Sequence, residues 1–141
     1  MKKIKIIAII CTLFTCLNSM AQTNEVKNIK TVITAFSNAG DENNTEKLSF
    51  YLDNNYRIVM NQLFGSKKIV VISKTIYLEK IKSKEWGGDK RKLTIENILV
   101  NGNTAAAKVI FKGKKTTFNS LLNLVKNAKG EWKLISDMPV K

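Results

Sequence analysis

Histidine is absent from the sequence, cysteine occurs only at Cys11 and Cys16, and proline only at Pro139. Without histidine there is no imidazole general base, no histidine-ligated metal and no histidine-dependent serine triad. Both cysteines stand in the first 16 residues, within a stretch that reads as a removable leader. The remaining chain is therefore expected to carry neither a disulfide nor a thiol nucleophile. Its stability must come from burial alone, which favours a packed core over a stapled, loop-rich module. No glycine-rich loop follows a strand in a phosphate-cradling pattern, and Gly87-Gly88 belongs to an ordinary loop. Neither a cofactor nor a metal is expected.

What is present at the N-terminus is an export pattern. Lys2, Lys3 and Lys5 precede an apolar run from Ile6 to Leu17, which closes on Ser19-Met20-Ala21 before Gln22. A charged start, a short apolar run and a small-x-small end define a cleavable signal peptide. The run falls short of the roughly 20 residues a spanning helix needs. Leu13, three residues before Cys16, raises a lipid-anchor alternative, but Phe14 and Thr15 are poor residues beside a lipidated cysteine. The expected division is residues 1–21 as signal peptide and 22–141 as one domain, periplasmic or secreted after cleavage near Ala21, with no transmembrane segment.

Loss of the three leader lysines takes the formal net charge from +13 to +10. Such a balance suits nucleic acid, an anionic membrane or an acidic polymer. Arginine, however, occurs only at Arg57 and Arg91, whereas specific phosphate or base readout leans on arginine forks and stacking aromatics. No nucleic-acid partner is expected. The densest basic segments are Lys80 to Lys92 and Lys112-Gly113-Lys114-Lys115.

Hydrophobic spacing divides the chain into two halves. Val26, Ile29, Ile33 and Phe36 recur at helical spacing until the stop signal Asn38 to Asp41. A short helix follows near Thr45 to Leu52, with Leu48 and Leu52 on one side. "YRIVMNQ" (Tyr56 to Gln62) reads as a strand and "IVVI" (Ile69 to Ile72) as a short buried one. Ser73 is the expected N-cap of a helix that turns Ile76, Tyr77 and Ile81 inward. From Leu93 onward the period becomes two. "VNGN" (Val100 to Asn103) signals a two-residue hairpin, with either Asn101-Gly102 or Gly102-Asn103 as its loop. A two-residue loop at Gly113-Lys114 and a three-residue loop at Ala128-Lys129-Gly130 continue the meander. With these registers Ile98, Val100, Ala105, Ala107, Val109, Phe111, Phe118, Ser120, Leu122, Leu124, Trp132 and Leu134 share one face. The opposite face carries Leu93, Ile95, Leu99, Ile110, Leu121, Val125 and Ile135 among polar residues. Partial cover by a second copy is expected there, giving a homodimer through Leu93, Ile95, Ile110, Leu121 and Ile135.

Two helices, a strand, a helix and a four-stranded meander follow one another in an order that resembles the nuclear transport factor 2-like fold. The likeness rests on "YRIV" (Tyr56 to Val59), "ISKTIYLEKI" (Ile72 to Ile81), "VNGNTAAAKVIF" (Val100 to Phe111) and "FNSLLNLVKNAKGEWKLI" (Phe118 to Ile135). Within that superfamily the chain resembles the exported bacterial group labelled "putative lumazine-binding", related to SnoaL-like proteins. The resemblance implies an α+β cone, helices over a strongly curved, mainly antiparallel sheet, and a small ligand inside. It does not by itself imply an activity, because the fold hosts enzymes and binding modules alike.

The candidate pocket lining is aromatic: Phe36, Tyr56, Tyr77, Phe111, Phe118 and Trp132, with Ser120 as a polar component. The favoured reading is an exported domain, without catalytic activity, that binds a small apolar or aromatic ligand in the cone. Two alternatives remain. One is a cell-envelope interaction module working through its basic surface. The other is an isomerase- or cyclase-like enzyme in which Glu96, inward by parity, acts with Tyr56 or Tyr77. Ketosteroid isomerase-like relatives use an acid with a tyrosine in that way.

Overall fold

In the computed structural model, residues 22–63, 65–114 and 116–140 are described in full, and residues 2–21 only through the bounds of the first helix. The signal-peptide and Cys16 expectations fall outside the fully described residues. The elements run α1 (Lys2–Asp41), α2 (Thr45–Tyr51), β1 (Leu52–Asn61), β2 (Ile69–Ser73), α3 (Lys74–Lys82), β3 (Lys92–Asn101), β4 (Thr104–Lys112), β5 (Thr117–Lys126) and β6 (Trp132–Val140). The fold is α+β. The strands form one curved, unclosed sheet in the order β2-β1-β6-β5-β4-β3, antiparallel except where β1 runs beside β6.

Local chemistry accounts for the helix limits. α1 buries Ile29, Ile33, Phe36 and Ala39 along one stripe, and ends where Asn43 takes a positive φ of 52°. Asn44 caps α2 by accepting from the Lys47 amide at 2.9 Å, and Ser73 caps α3 by accepting from Ile76. These caps satisfy amides that have no partner inside the helix. The loop after α3 is tied back to α1. Asn43 donates to the Ile81 and Trp86 carbonyls at 3.0 and 2.7 Å, and the Gly88 amide bonds the Gly40 carbonyl at 3.2 Å. Gly87 has φ +81°, and a Cβ there would collide with the Gly40 carbonyl oxygen, so only glycine admits this close approach.

The core lies between the helices and the inner face of the sheet, whose rows follow the registers. One row is Leu93, Phe111 and Phe118, and the next Ile95, Val109, Ser120 and Pro139. The middle row is Ile98, Ala107, Leu122, Asp137 and Ile58, and the last Val100, Ala105, Leu124, Leu134 and Leu52. Leu122, Leu134, Val109 and Ala107 are wholly buried. At roughly 1.5–3 kcal/mol for each large buried apolar side chain, such rows dominate the stability of the domain.

Several registers differ from the sequence expectation. The β3–β4 loop is Gly102-Asn103, since Asn101 pairs with Thr104. Phe111 pairs with Phe118 rather than Thr116, because residues 113–116 make the β4–β5 connection. That slip is of two residues, so every face is preserved. β2 is an edge strand with Ile69 and Val71 exposed, not a buried strand, and Ile76 faces solvent while Tyr77 and Ile81 turn inward.

Two β-bulges have larger consequences. One lies between Ile95 and Asn97, where Ile95 pairs with Val109 and Asn97 with Lys108. The odd residue is Glu96, and parity reverses on either side of it. Leu93 and Ile95 therefore pack against the core, not on the outer face, and drop out of the expected dimer surface. Glu96 is not inward but forms a 2.9 Å ion pair with Lys108, which overturns its role as an internal base. The other bulge lies at Ile135, between the Leu124–Leu134 and Asn123–Ser136 pairs. It turns Asp137 into the cone.

Candidate functional site

The seven residues expected to line a pocket divide between the two ends of the cone. Phe36 comes from α1, Tyr56 from β1, Tyr77 from α3 and Phe111 from β4, and their rings meet. Phe36 lies 6.5 Å from Tyr56, 6.5 Å from Tyr77 and 6.4 Å from Phe111, and Tyr56 lies 5.6 Å from Tyr77. Tilted and edge-on rings at these spacings are attractive beyond the area they bury. Trp86 closes over the group, 6.1 Å from Tyr77. Phe118 is half-buried opposite Phe111, and Ser120 is buried in the row beside Asp137.

Trp132 stands apart, at the start of β6, about five residues and roughly 17 Å along the strand from Asp137. Its indole Nε1 donates to Glu25 Oε2 at 2.6 Å, and Lys126 Nζ bonds Glu25 Oε1 at 2.6 Å while lying 5.2 Å from the indole ring centre. The Lys126 and Trp132 bonds hold the Glu25 carboxyl below its usual range. This polar group is complete, and it pins α1 to the β5–β6 hairpin.

The Asp137 end is not complete. Among the described residues, Ser37 Oγ, Tyr56 Oη and Asp137 Oδ1 are closed to solvent and have no hydrogen-bond partner. Burial raises the Tyr56 hydroxyl well above its ordinary pKa, and the Asp137 charge adds to the effect. Burial likewise raises the Tyr77 hydroxyl. Asp137 is pushed up from 3.8 to about 6 by burial, partly offset by the Ser120 hydroxyl and the Arg91 charge. Both tyrosines therefore keep their protons at neutral pH, and the carboxyl titrates close to it.

Arg91 sits at the rim of this group. Its Nε bonds Asp41 Oδ1 at 2.6 Å, its amide bonds Asp41 Oδ2 at 2.8 Å, and its guanidinium lies 4.9 Å from the Phe111 ring. A further guanidinium nitrogen reaches the Ser37 carbonyl at 3.3 Å. With its charge already matched by Asp41, Arg91 is held as a wall rather than presented as a free cation.

Two hollows of about 390 and 680 Å³ lie along α2, away from the rings; none of the seven expected residues lines either. Two of the lysines that line them, Lys74 and Lys133, serve the helix end. Lys74 Nζ bonds the Ser49 and Leu52 carbonyls at 3.1 and 3.0 Å, and Lys133 Nζ bonds the Phe50 carbonyl at 2.8 Å. Inside the cone, open bonding capacity rather than open volume marks the site. Sequence reasoning missed Asp137 because unbroken alternation through Ile135 places it outside, and it missed Arg91 as a wall residue. Among the described residues no group of three or more His, Cys, Asp or Glu side chains could hold a metal, and no helix is long and apolar enough to cross a membrane.

A family model described as "Putative lumazine-binding" matches residues 24–138. No curated protein matches the sequence. Solved structures match its fold. A nuclear transport factor 2-like protein of unknown function from Shewanella baltica OS155 is 17% identical, with a TM-score of 0.72 over 84% of this chain and 94% of its own. Another, from Silicibacter pomeroyi DSS-3, is 13% identical, with a TM-score of 0.74 over 84% and 97%. A protein from Shewanella frigidimarina NCIMB 400, described as a putative ketosteroid isomerase, is 18% identical, with a TM-score of 0.58 over 78% and 92%.

Proposed function

The chain belongs to the "putative lumazine-binding" family of the nuclear transport factor 2-like superfamily, and from that premise we propose that it is an exported domain binding a small apolar or aromatic ligand in its cone, without catalysis. The observation that carries this reading is the pair of buried oxygens, Tyr56 Oη and Asp137 Oδ1, left without a partner beside a wall of four aromatic rings. Buried polar groups are nearly always bonded, so an unbonded pair implies a partner that comes from outside the chain. The Trp86 loop is the natural door. It carries Lys84, Gly87 and Gly88 at positive φ and is held to α1 through Asn43 and Gly40. Swinging Trp86 off Tyr77 exposes the rings, which themselves become the ligand's contact surface.

The case against catalysis is chemical. The base expected from the sequence is not available, which leaves Asp137, pushed up to about 6 beside Tyr56, as the carboxyl a catalytic alternative would have to use. Glu96 is committed to Lys108 at the surface, and both core tyrosines are held in the neutral form. The chain has no histidine to take their place.

Ligand binding is tested by thermal shift of the leaderless protein against flat aromatic compounds. A compound at a hundredfold excess over its Kd stabilises the fold by about 2.7 kcal/mol. Absence of any shift across uncharged aromatics at millimolar concentration overturns the reading. Homodimerisation belongs to the same proposal, now through the outer-face residues Ile110 and Leu121 with the exposed Met138 and Val140, and Ile135 at the bulge. Sedimentation as a monomer at tens of micromolar contradicts it.

One observation favours a second reading, as a basic-surface module of the cell envelope. The two lysine-dense segments converge, since Lys92 pairs with Lys112 and the Lys114 amide bonds Asp89 Oδ1 at 3.1 Å. Salt-sensitive retention on an anionic matrix, abolished when Lys90, Lys92, Lys112 and Lys114 are replaced by Gln, supports that reading. Retention unchanged by those replacements removes it.

A further inference from the structure

Strand direction gathers lysines at one end of the sheet. β1 and β6 run parallel, so the β1–β2 connection lies at the end where β6 finishes. The antiparallel pairings bring the start of β5, the end of β4 and the start of β3 to that same end. Lys67 and Lys68 lead into β2, Lys90 and Lys92 into β3, Lys112 closes β4, and Lys114 stands in the β4–β5 connection. All six are exposed, and among the described residues none of them takes part in an ion pair. The acids beside them are already engaged: Asp89 Oδ1 accepts from the Lys114 amide, and Asp41 pairs with Arg91. The opposite end of the sheet differs, since Lys126 pairs there with Glu25 and Lys133 with Glu131.

Charge is only half of the pattern. Ile69 and Val71, alternate residues of the edge strand β2, are 66% and 56% exposed, and Ile69 directly follows Lys67 and Lys68. Their partners on β1 are Asn61 and Val59. A soluble polyanion gains nothing from exposed aliphatic side chains. A bilayer interface does, because apolar side chains sink below the headgroups while lysine stems carry their ammonium groups to the phosphates. Lysine also suits a diffuse negative surface, whereas phosphate readout in fixed geometry calls for the guanidinium fork. Addition of a strand from another protein is disfavoured, since β2 is five residues long and is entered through two lysines, features that guard an edge. The strand order sets β2 and β3 five spacings apart, about 24 Å along the sheet. An extended surface engages both lysine groups at once, and a small anion engages one.

We propose, building on the basic-surface reading above and resting on it, that this end of the sheet docks on an anionic phospholipid bilayer. Lys67, Lys68, Lys92 and Lys112 meet the headgroup phosphates, and Ile69 and Val71 enter the interface beside them. Ile69 and Val71 stand outside the set assigned to the dimer face, so membrane contact and pairing of two copies use different apolar side chains. Tyr56 and Asp137 lie on the inner face and take no part.

The experiment is co-sedimentation of the leaderless protein with vesicles of phosphatidylcholine alone, or of phosphatidylcholine with about one third phosphatidylglycerol. The expected result is a preference of about tenfold or more for the anionic vesicles. It disappears as salt rises from about 0.1 to 1 M and the screening length falls from about 10 to 3 Å. Lys67→Gln with Lys68→Gln lowers affinity for the anionic vesicles by about tenfold or more, at about fivefold for each lysine. Ile69→Ser with Val71→Ser lowers it about tenfold and leaves retention on a polyphosphate matrix unchanged. All four positions are exposed, so urea midpoints near the wild-type value are expected, and the comparison of the two lipid compositions needs no variant. Equal sedimentation with both kinds of vesicle overturns the proposal. Wild-type vesicle affinity in the serine variant also overturns it and leaves a general polyanion site, with the basic-surface reading standing. An equal loss on the matrix overturns it as well, because the apolar pair then serves the fold. A dimer that the serine variant abolishes, without vesicle binding, assigns β2 to a second copy instead. If neither the vesicles nor the matrix retain the wild-type protein, the basic-surface reading falls together with this one.

Discussion

The two ends of the cone carry similar chemistry and arrange it in opposite ways. At the Trp132 end a carboxylate, a cation and an indole N–H close on one another, and both oxygens of Glu25 are used at 2.6 Å. At the Asp137 end a carboxyl, a cation and two phenols are assembled, yet Tyr56 Oη and Asp137 Oδ1 find no protein partner. The same helix spans both: Glu25 and Asp41 are 16 residues apart on α1, about 24 Å. Glu25, in its complete network, is held below the usual carboxyl range, whereas Asp137 is pushed up to about 6. A satisfied network is what a fold requires of a structural site. An unsatisfied one costs stability, and its retention points to a use.

That contrast can be broken at either end. The largest expected effect is on Asp137. Below pH 4 its raised pKa makes no difference, and as pH rises through 4 to 6 the folded state retains a proton that the unfolded state gives up, so stability falls and stays low above 6. Replacing it by Asn removes this penalty and stabilises the ligand-free domain at pH 7.5 by about 2 kcal/mol, after allowance for the residue's partial exposure. Urea melts at pH 4 and 7.5 report the sign directly. Next comes Glu25→Ala, which strands the Trp132 N–H and the Lys126 cation. It is expected to cost about 2 kcal/mol, read as a drop in the urea midpoint at unchanged slope. The smallest effect is Tyr56→Phe, a change of less than about 1 kcal/mol and of stabilising sign in the free protein, because it deletes an unbonded hydroxyl. A large loss from Tyr56→Phe would place the two ends in the same class and erase the contrast.

The order of elements was legible in the sequence because each turn announces itself. Ser73, Gly102 and Gly130 stand where a cap or a positive φ is needed, and the Ala128-Lys129-Gly130 loop brings Trp132 opposite Lys126 as its chemistry implies. Alternation also placed Phe111, Ser120, Leu122, Leu124 and Leu134 correctly on the inner face. The wrong β4–β5 loop length did no harm there, since a slip of two restores parity. Bulges were not legible. One extra residue leaves no mark in a local pattern, yet it reverses every face beyond it, and at Glu96 and Ile135 it did so. The first bulge moved a candidate base out of the cone, and the second moved Asp137 in. Alternation is a statement about neighbours, and the site depends on the sum of such statements along a whole strand.

The most direct test of the account is therefore the ionisation of Asp137 itself, followed by carbon NMR of its side-chain carboxyl from pH 3 to 8 in the leaderless, ligand-free protein. The account predicts a midpoint near 6, lifted by burial in the middle row of the inner face. A midpoint near 4, the value of a solvated aspartate, would place the carboxyl outside the cone and contradict the site.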